Sequence, residues 1–141
     1  MGDRVKEAIE LFEKGFSCSQ SVFTAYSDLF GLDKDIALKL SNGFGGGIAR
    51  RQEICGAVTG AVMLIGLKEG KIIPSDTVAH EKTYEMINCF CQKFIEKNNS
   101  LNCSELLGCD LALASEKRLF ATMCKGYVQD AAEIINNLLD E

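Results

Sequence analysis

The chain has 141 residues, 47% of them apolar, with one proline, no tryptophan and a formal net charge of −5. That length suits one domain, residues 1–141, with a substantial core. The acidic balance argues against nucleic-acid binding, which needs a basic surface to displace counterions from phosphate, and the Arg50-Arg51 doublet is too small to supply one. Long stretches of 3.6-residue periodicity, with no sustained alternation of apolar and polar residues, predict an all-α, single-domain bundle of about six to seven helices.

In chain order, the first helix is expected from Asp3 to Lys14, with Val5, Ala8, Ile9 and Phe12 inward and Gly15 ending it. A second runs from Cys18 to Phe30 over Val22, Phe23, Tyr26 and Phe30. A third, capped by Asp33, ends near Ser41 with Ile36, Ala37 and Leu40 inward. The stretch from Asn42 to Gly47, four of whose residues are glycine, breaks the helical pattern, as ordering so many glycines is costly unless the backbone must turn or approach something closely. After this Gly-rich loop a helix begins around Gln52 to Ile54 and ends near Lys68. It carries no charge between Cys55 and Leu67 and is therefore expected to be central and surrounded. Pro74-Ser75-Asp76 starts a long helix from about Asp76 to Lys97, with Tyr84, Ile87, Cys91 and Phe94 on its apolar face. Asn98-Asn99-Ser100 is a polar break, a short helix spans Cys103 to Leu107 before Gly108, and the last helix runs from about Tyr127 to Leu139.

The N-terminal stretch is charged and amphipathic, unlike a secretory signal. The longest uncharged run, Ile54 to Leu67, has 14 residues and is too short for a membrane span, so no membrane insertion is expected. A cytoplasmic location is the expectation that follows. Seven cysteines in that setting indicate metal binding or redox chemistry, and their odd number prevents complete pairing within one chain.

Four of the cysteines fall at expected helix starts. Ser17-Cys18-Ser19-Gln20 has the form of a capping box, and Asn102-Cys103-Ser104-Glu105 repeats it. Cys55 opens the uncharged run, and Cys124 lies just before the last helix. Free amides and the helix dipole at such places favour negative charge, so each thiol is expected to be biased towards the reactive thiolate.

Phe44-Gly45-Gly46-Gly47 leading into Cys55-Gly56-Ala57-Val58-Thr59-Gly60 resembles the signature of the family known by its cysteine pattern as C_GCAxxG_C_C. Gly15-Phe16-Ser17-Cys18, Asn102-Cys103-Ser104-Glu105-Leu106-Leu107-Gly108 and Cys124 before Val128-Gln129-Asp130-Ala131-Ala132 agree with it, so the resemblance covers nearly the whole chain. It implies a redox-active protein with Cys18, Cys55, Cys103 and Cys124 as signature cysteines. A related domain in split-Soret-type cytochromes is associated with an iron–sulfur centre. No Cys-x-x-Cys-His is present, so covalent haem is not expected.

Intervals of 37, 48 and 21 residues separate the four cysteines, unlike the close pairs of thioredoxin, zinc ribbons or bacterial ferredoxins. A shared site therefore requires the four helix starts to converge. Four helix dipoles would sum to about +2, which matches the charge of roughly −2 on an oxidised two-iron cluster with four thiolates. Successive amides of Gly45, Gly46 and Gly47, with Gly56, would add a concave anion nest for such a cofactor. Gly56 and Gly60, with Ala57 and Ala61, also have the plainer reading of close helix packing.

The first functional expectation is thus electron transfer by an iron–sulfur cluster, or alternatively a zinc site, on Cys18, Cys55, Cys103 and Cys124. The second is an oxidoreductase-like thiol relay, with Cys55 as nucleophile and Cys18 as its partner, acting on a redox partner protein or a small electrophile. Cys91 is expected in the core, Cys89 as an exposed thiol, and Cys109 as a possible resolving thiol. Arg50 and Arg51 would either attend Cys55 or be solvated, and His80 is expected to be a solvated helix residue. The oligomeric state stays open, a homodimer included.

Overall fold

Side-chain caps fix where most of the helices begin. In the computed structural model, which describes residues 2–140, α1 spans Asp3–Glu13, buries Val5, Ala8 and Leu11, and ends at Gly15, whose φ of +110° reverses the chain. Ile9 and Phe12 are partly buried at its edge. Ser17 opens α2 (Cys18–Ser27) through a complete capping box: the Gln20 amide donates to Ser17 Oγ at 3.3 Å, and the Ser17 amide donates to the Gln20 side chain at 3.0 Å. Val22, Phe23 and Tyr26 are buried, and a short 3-10 turn, Asp28–Phe30, continues the helix.

Asp33 caps α3 (Lys34–Asn42). This helix buries Ala37 and Ser41, while Ile36 and Leu40, expected inward, are 56% and 54% exposed. The reason is polar docking on α2. Ser19 Oγ donates to the Ser41 carbonyl at 2.7 Å and Gln20 Nε2 to the Leu38 carbonyl at 3.0 Å, so the small, hydrogen-bonded face wins over the larger apolar one.

The glycine stretch forms a short segment, α4 (Gly45–Ile48), in which the backbone changes hand. Gly46 and Gly47 have φ of +67°, and Ile48, Ala49, Arg50 and Gln52 also have positive φ. Left-handed backbone costs a non-glycine residue about 1–2 kcal/mol, so this turn is held by its surroundings. Gln52 and Glu53 donate their amides back to the carbonyls of Gly46 and Gly47 at 3.0 and 2.9 Å.

Helix α5 (Gly56–Glu69), uncharged as far as Leu67, starts slightly later than its periodicity predicts, with Cys55 as N-cap. It packs against α2 and two later helices, α6 (Thr77–Asn98) and α9 (Lys125–Leu139), as a central helix should. On α6, capped by Asp76, the buried residues are Met86, Phe90 and Phe94. Tyr84, expected in the core, is 55% exposed and lies against the His80 ring with centroids 4.2 Å apart. The core-facing stripe is rotated by about one residue position from the one expected, because Met86 and Phe90 supply the bulk facing α5 and α9.

The short helix α7 spans Cys103–Leu107 and ends at Gly108, as expected. Between it and α9 lies structure that the periodicity did not suggest: α8 (Leu111–Glu116), capped by Asp110, and a single π-helical turn, Phe120–Cys124, that runs directly into α9. Tyr26 ties α2 to α9, its hydroxyl donating to the Ala132 carbonyl at 3.0 Å. Among the described residues there is no strand beyond one isolated antiparallel bridge, Ile54 to Asn102. The helical architecture agrees with the all-α expectation: seven of the helices have six residues or more. Residues 1 and 141 of the expected domain lie outside the described residues. No described helix is long and apolar enough to cross a membrane.

Candidate thiol site

Two devices bring distant cysteines together. The first is close packing of α2 on α5. A Cβ built on Gly56 would lie 3.0 Å from the Ser19 nitrogen and 3.3 Å from Cys18 Cβ, and one on Gly60 would lie 3.0 Å from the Ser19 carbonyl oxygen. With hydrogen at these two positions, the start of α5 lies directly against the start of α2, and Cys55 comes beside Cys18.

The second device is backbone pairing around Ile54 and Asn102. The Cys55 amide donates to the Leu101 carbonyl at 2.8 Å, and the Cys103 amide donates to the Glu53 carbonyl at 2.6 Å. This stitch sets Cys55 close to Cys103. Cys103 in turn forms a small buried cluster with Leu107, Ala114 and Cys124, against which Cys18 and Cys109 also pack. All seven cysteines are free thiols.

The charge balance at these sulfurs differs from the sequence expectation. Burial pushes the Cys55 thiol up to about 12, although the amides of Ala57 and Val58 favour its thiolate. The helix-start effect is therefore present at Cys55, but desolvation outweighs it. Burial, then the neighbouring Cys124, also raises Cys103, against a hydrogen bond from Gln52 that lowers it.

Cys18 and Cys124 interact directly through their side chains, and that hydrogen bond is the largest influence on both. It raises Cys18 well above the usual thiol range and lowers Cys124 despite burial. Cys55, Cys124 and Cys103 each raise Cys18 further by like-charge repulsion. Of the four expected thiolates, only Cys124 is favoured. It sits at the end of a π turn that continues into α9, not at a free helix start.

The second capping box is also half formed. Asn102 accepts from the amides of Ser104 and Glu105, but the Glu105 carboxylate accepts from Ser100 Oγ at 3.1 Å and does not reach back to Asn102. The amide that Glu105 leaves free at Asn102 donates to Ser100 Oγ at 2.9 Å.

The glycines are explained by packing. Cβ atoms at Gly45 and Gly47 would fall 2.7 Å from Ser17 Cβ and 2.6 Å from the Glu53 nitrogen, and one at Gly46 would lie 3.3 Å from Arg50 Cγ. The Cβ side of each of these glycines, like that of Gly56, is occupied by protein atoms. Arg51 pairs with Glu53 at 3.0 Å on the surface. Cys91 is half-buried against the core, its thiol raised by burial, and Cys89 is exposed.

Two residues near the thiols carried no sequence signal. Gln52, held at a φ of +55°, donates to the Cys109 carbonyl at 2.9 Å as well as to Cys103. Tyr127 donates its hydroxyl to the Leu106 carbonyl at 2.8 Å; burial raises its phenol first, and the charges of Cys124 and Cys55 raise it further. A glutamine and a tyrosine flanking cysteines are too common to single out without the fold.

Four thiolates have the donor chemistry of an iron–sulfur cluster or a structural zinc. As the side chains stand, however, no group of three or more His, Cys, Asp or Glu among the described residues is arranged to hold one ion. In this arrangement the side chains do not fit a single bound ion.

A family model described as "Putative redox-active protein (C_GCAxxG_C_C)" matches residues 16–138. The chain belongs to the C_GCAxxG_C_C family. The matched span contains all four signature cysteines and both devices that bring them together. An uncharacterized protein of Archaeoglobus fulgidus is 28% identical over 145 residues, covering 96% of this chain and 93% of that protein. No solved structure matches. Membership of the C_GCAxxG_C_C family thus brings a redox description and no substrate.

Proposed function

We propose that the chain is a thiol-based redox protein whose working couple is Cys124 and Cys18. The observation that carries this reading is the packing of Cys18 against the buried cluster that holds Cys124, where the interaction between the two side chains moves the thiols in opposite directions. A depressed thiol with a protonated neighbour is what a dithiol needs in order to attack once and then resolve.

The reaction balances as follows. The Cys124 thiolate attacks one sulfur of a substrate disulfide, forming a mixed disulfide and releasing the first substrate thiolate. Cys124 then no longer carries the charge that held the Cys18 proton. Cys18 loses that proton, attacks Cys124 Sγ and releases the second substrate thiolate. The two leaving thiolates take up protons, so the protein dithiol is oxidised by two electrons and the substrate disulfide is reduced to two thiols.

The nucleophile in this scheme is Cys124, where the sequence suggested Cys55. Cys55 and Cys103 stay protonated and buried, and their role is to keep the surroundings of the pair apolar. Leu111, Leu119 and Met123 pack against the buried cluster that holds Cys124, so a bulky disulfide reaches it only when residues 111–124 yield.

The second reading, an iron–sulfur cluster or zinc on all four cysteines serving electron transfer, has donor chemistry in its favour. One experiment separates the readings: metal and acid-labile sulfide analysis on protein purified without oxygen, followed by titration in a thiol–disulfide buffer. The dithiol reading expects metal-free protein with a two-electron couple that is lost in Cys18→Ser and Cys124→Ser and kept in Cys55→Ser. Iron and sulfide in near-equal amounts, lost with any of the four cysteines, would establish the cluster instead.

A further inference from the structure

The outer face of α6 carries a charge pattern that is its own complement. At about 100° per residue, Lys82, Glu85, Cys89, Lys93 and Glu96 all point within roughly 40° of one direction, and all five are exposed. About Cys89 the stripe is antisymmetric in charge. Four residues before it stands Glu85 and four after it Lys93; seven before stands Lys82 and seven after Glu96. Glu81 and Lys97, eight positions to either side, keep the same relation.

We propose that this face binds a second copy of the chain, with the two α6 helices antiparallel and crossing at Cys89. In that arrangement Glu85 faces Lys93 of the second copy, Lys82 faces Glu96 of the second copy, the symmetry-related pairs repeat this, and the two Cys89 thiols meet on the two-fold axis. A parallel pairing would set Lys82 against Lys82 and Glu85 against Glu85, and is excluded by repulsion. A partner of single-signed charge, such as a polyanion, finds no complement in alternating signs.

The same face also contains a groove of about 550 Å³ lined by Val78, Lys82, Glu85, Met86, Cys89 and Leu138. None of the four signature cysteines lines it. The antiparallel register brings Lys93 and Glu96 of the second copy over this groove, where their aliphatic stems would cover the apolar part. Lys82 also forms an ion pair with Glu69 of its own chain, but the 3.7 Å separation and the exposed Lys82 side chain leave Lys82 free to turn to a second partner.

Size sets the expected strength. The stripe from Val78 to Glu96 is about 27 Å long, and one helix face of that length offers well under the roughly 800 Å² per partner of a standard interface. The dimer is therefore weak and salt-sensitive, and trapping is the right assay.

The test uses diamide, which accepts two electrons and two protons as two thiols become a disulfide. At low salt and high protein concentration, a disulfide-linked dimer should form and map to Cys89, and Cys89→Ser should abolish it. Glu85→Lys or Lys93→Glu alone should slow linkage about tenfold, since each turns two attractions of surface-pair strength into two repulsions. The double variant Glu85→Lys/Lys93→Glu should restore the rate, with helicity unchanged throughout. No linked dimer, linkage through another cysteine, or rates indifferent to the charge changes would overturn the proposal.

Discussion

The Cys18 side chain is hydrogen-bonded to that of Cys124, and this one contact sets the two thiols apart: Cys18 is raised and Cys124 is lowered. Removing the neighbour should therefore change the reactivity of Cys124 before anything else. In Cys18→Ala the Cys124 thiolate loses the hydrogen bond that is the largest influence lowering it, so the Cys124 pKa should rise. Cys18→Ser keeps a donor and should show part of that rise. Iodoacetamide labelling of Cys124 across pH, read by mass spectrometry, checks both. An unchanged profile in Cys18→Ala would remove the pair as the source of activation.

Alkaline stability should report the other side of the balance. Cys55 is held neutral in the folded state up to about 12, against an ordinary value of 9.0. An unfolded chain ionises this thiol above that ordinary value and is thereby favoured. The contribution is fully present below pH 9.0 and is lost as pH rises towards 12. The slope between the two is about 1.4 kcal/mol per pH unit for one such group. Cys18 and Cys103, also raised, add to the decline. In urea unfolding followed above pH 9, Cys55→Ala should start less stable and lose stability more gradually than the wild type.

Gln52 offers a separate handle on the stitch between the loop before α5 and the start of α7. Gln52→Ala removes the donor to the Cys103 sulfur and to the Cys109 carbonyl. The expected cost is about 1 kcal/mol for the lost neutral hydrogen bond, together with a further rise of the Cys103 pKa. Thermal unfolding reads the first and alkylation of Cys103 across pH reads the second. A changed stability with an unchanged Cys103 profile would confine Gln52 to a structural role.

The parts of this fold that were legible in the sequence are those fixed by neighbouring residues. Ser17 and Gln20 close a capping box within four positions, and Gly15 and Gly108 end helices through their own backbone freedom. The uncharged run after Cys55 placed the central helix because no other environment suits it. What was illegible depends on tertiary context. Leu111–Glu116 is too short to show a period, and the π turn before α9 has no residue signature. Ile36 and Leu40 lost the inner face of α3 to Ser41, whose backbone partner lies on another helix. The sign of each thiol's shift was hidden for the same reason: the helix-start effect is local, whereas the desolvation that overrides it at Cys55 requires the whole bundle.

Two glycines of α5 should respond oppositely to the same substitution. In isolation each costs the helix about 1 kcal/mol relative to alanine. Around Gly66 there is nothing within 4 Å of a new Cβ, so Gly66→Ala should recover part of that amount as added stability. At Gly60 the new Cβ would meet the Ser19 carbonyl oxygen at 3.0 Å and the Phe23 nitrogen at 3.3 Å, both backbone atoms of α2. Backbone within a helix cannot swing aside as a side-chain end can, so α2 must shift, at an overpacking cost of about 1–3 kcal/mol that outweighs the propensity gain. Because Cys18 is the first residue of α2, that shift also bears on its contact with Cys124. Gly60→Ala should therefore both lower the melting temperature and move the Cys124 alkylation profile to higher pH, while Gly66→Ala raises the former and leaves the latter unchanged. Were Gly60→Ala to destabilise without moving the profile, the α2–α5 contact would be serving stability alone, and the position of Cys18 would be set by its own capping box.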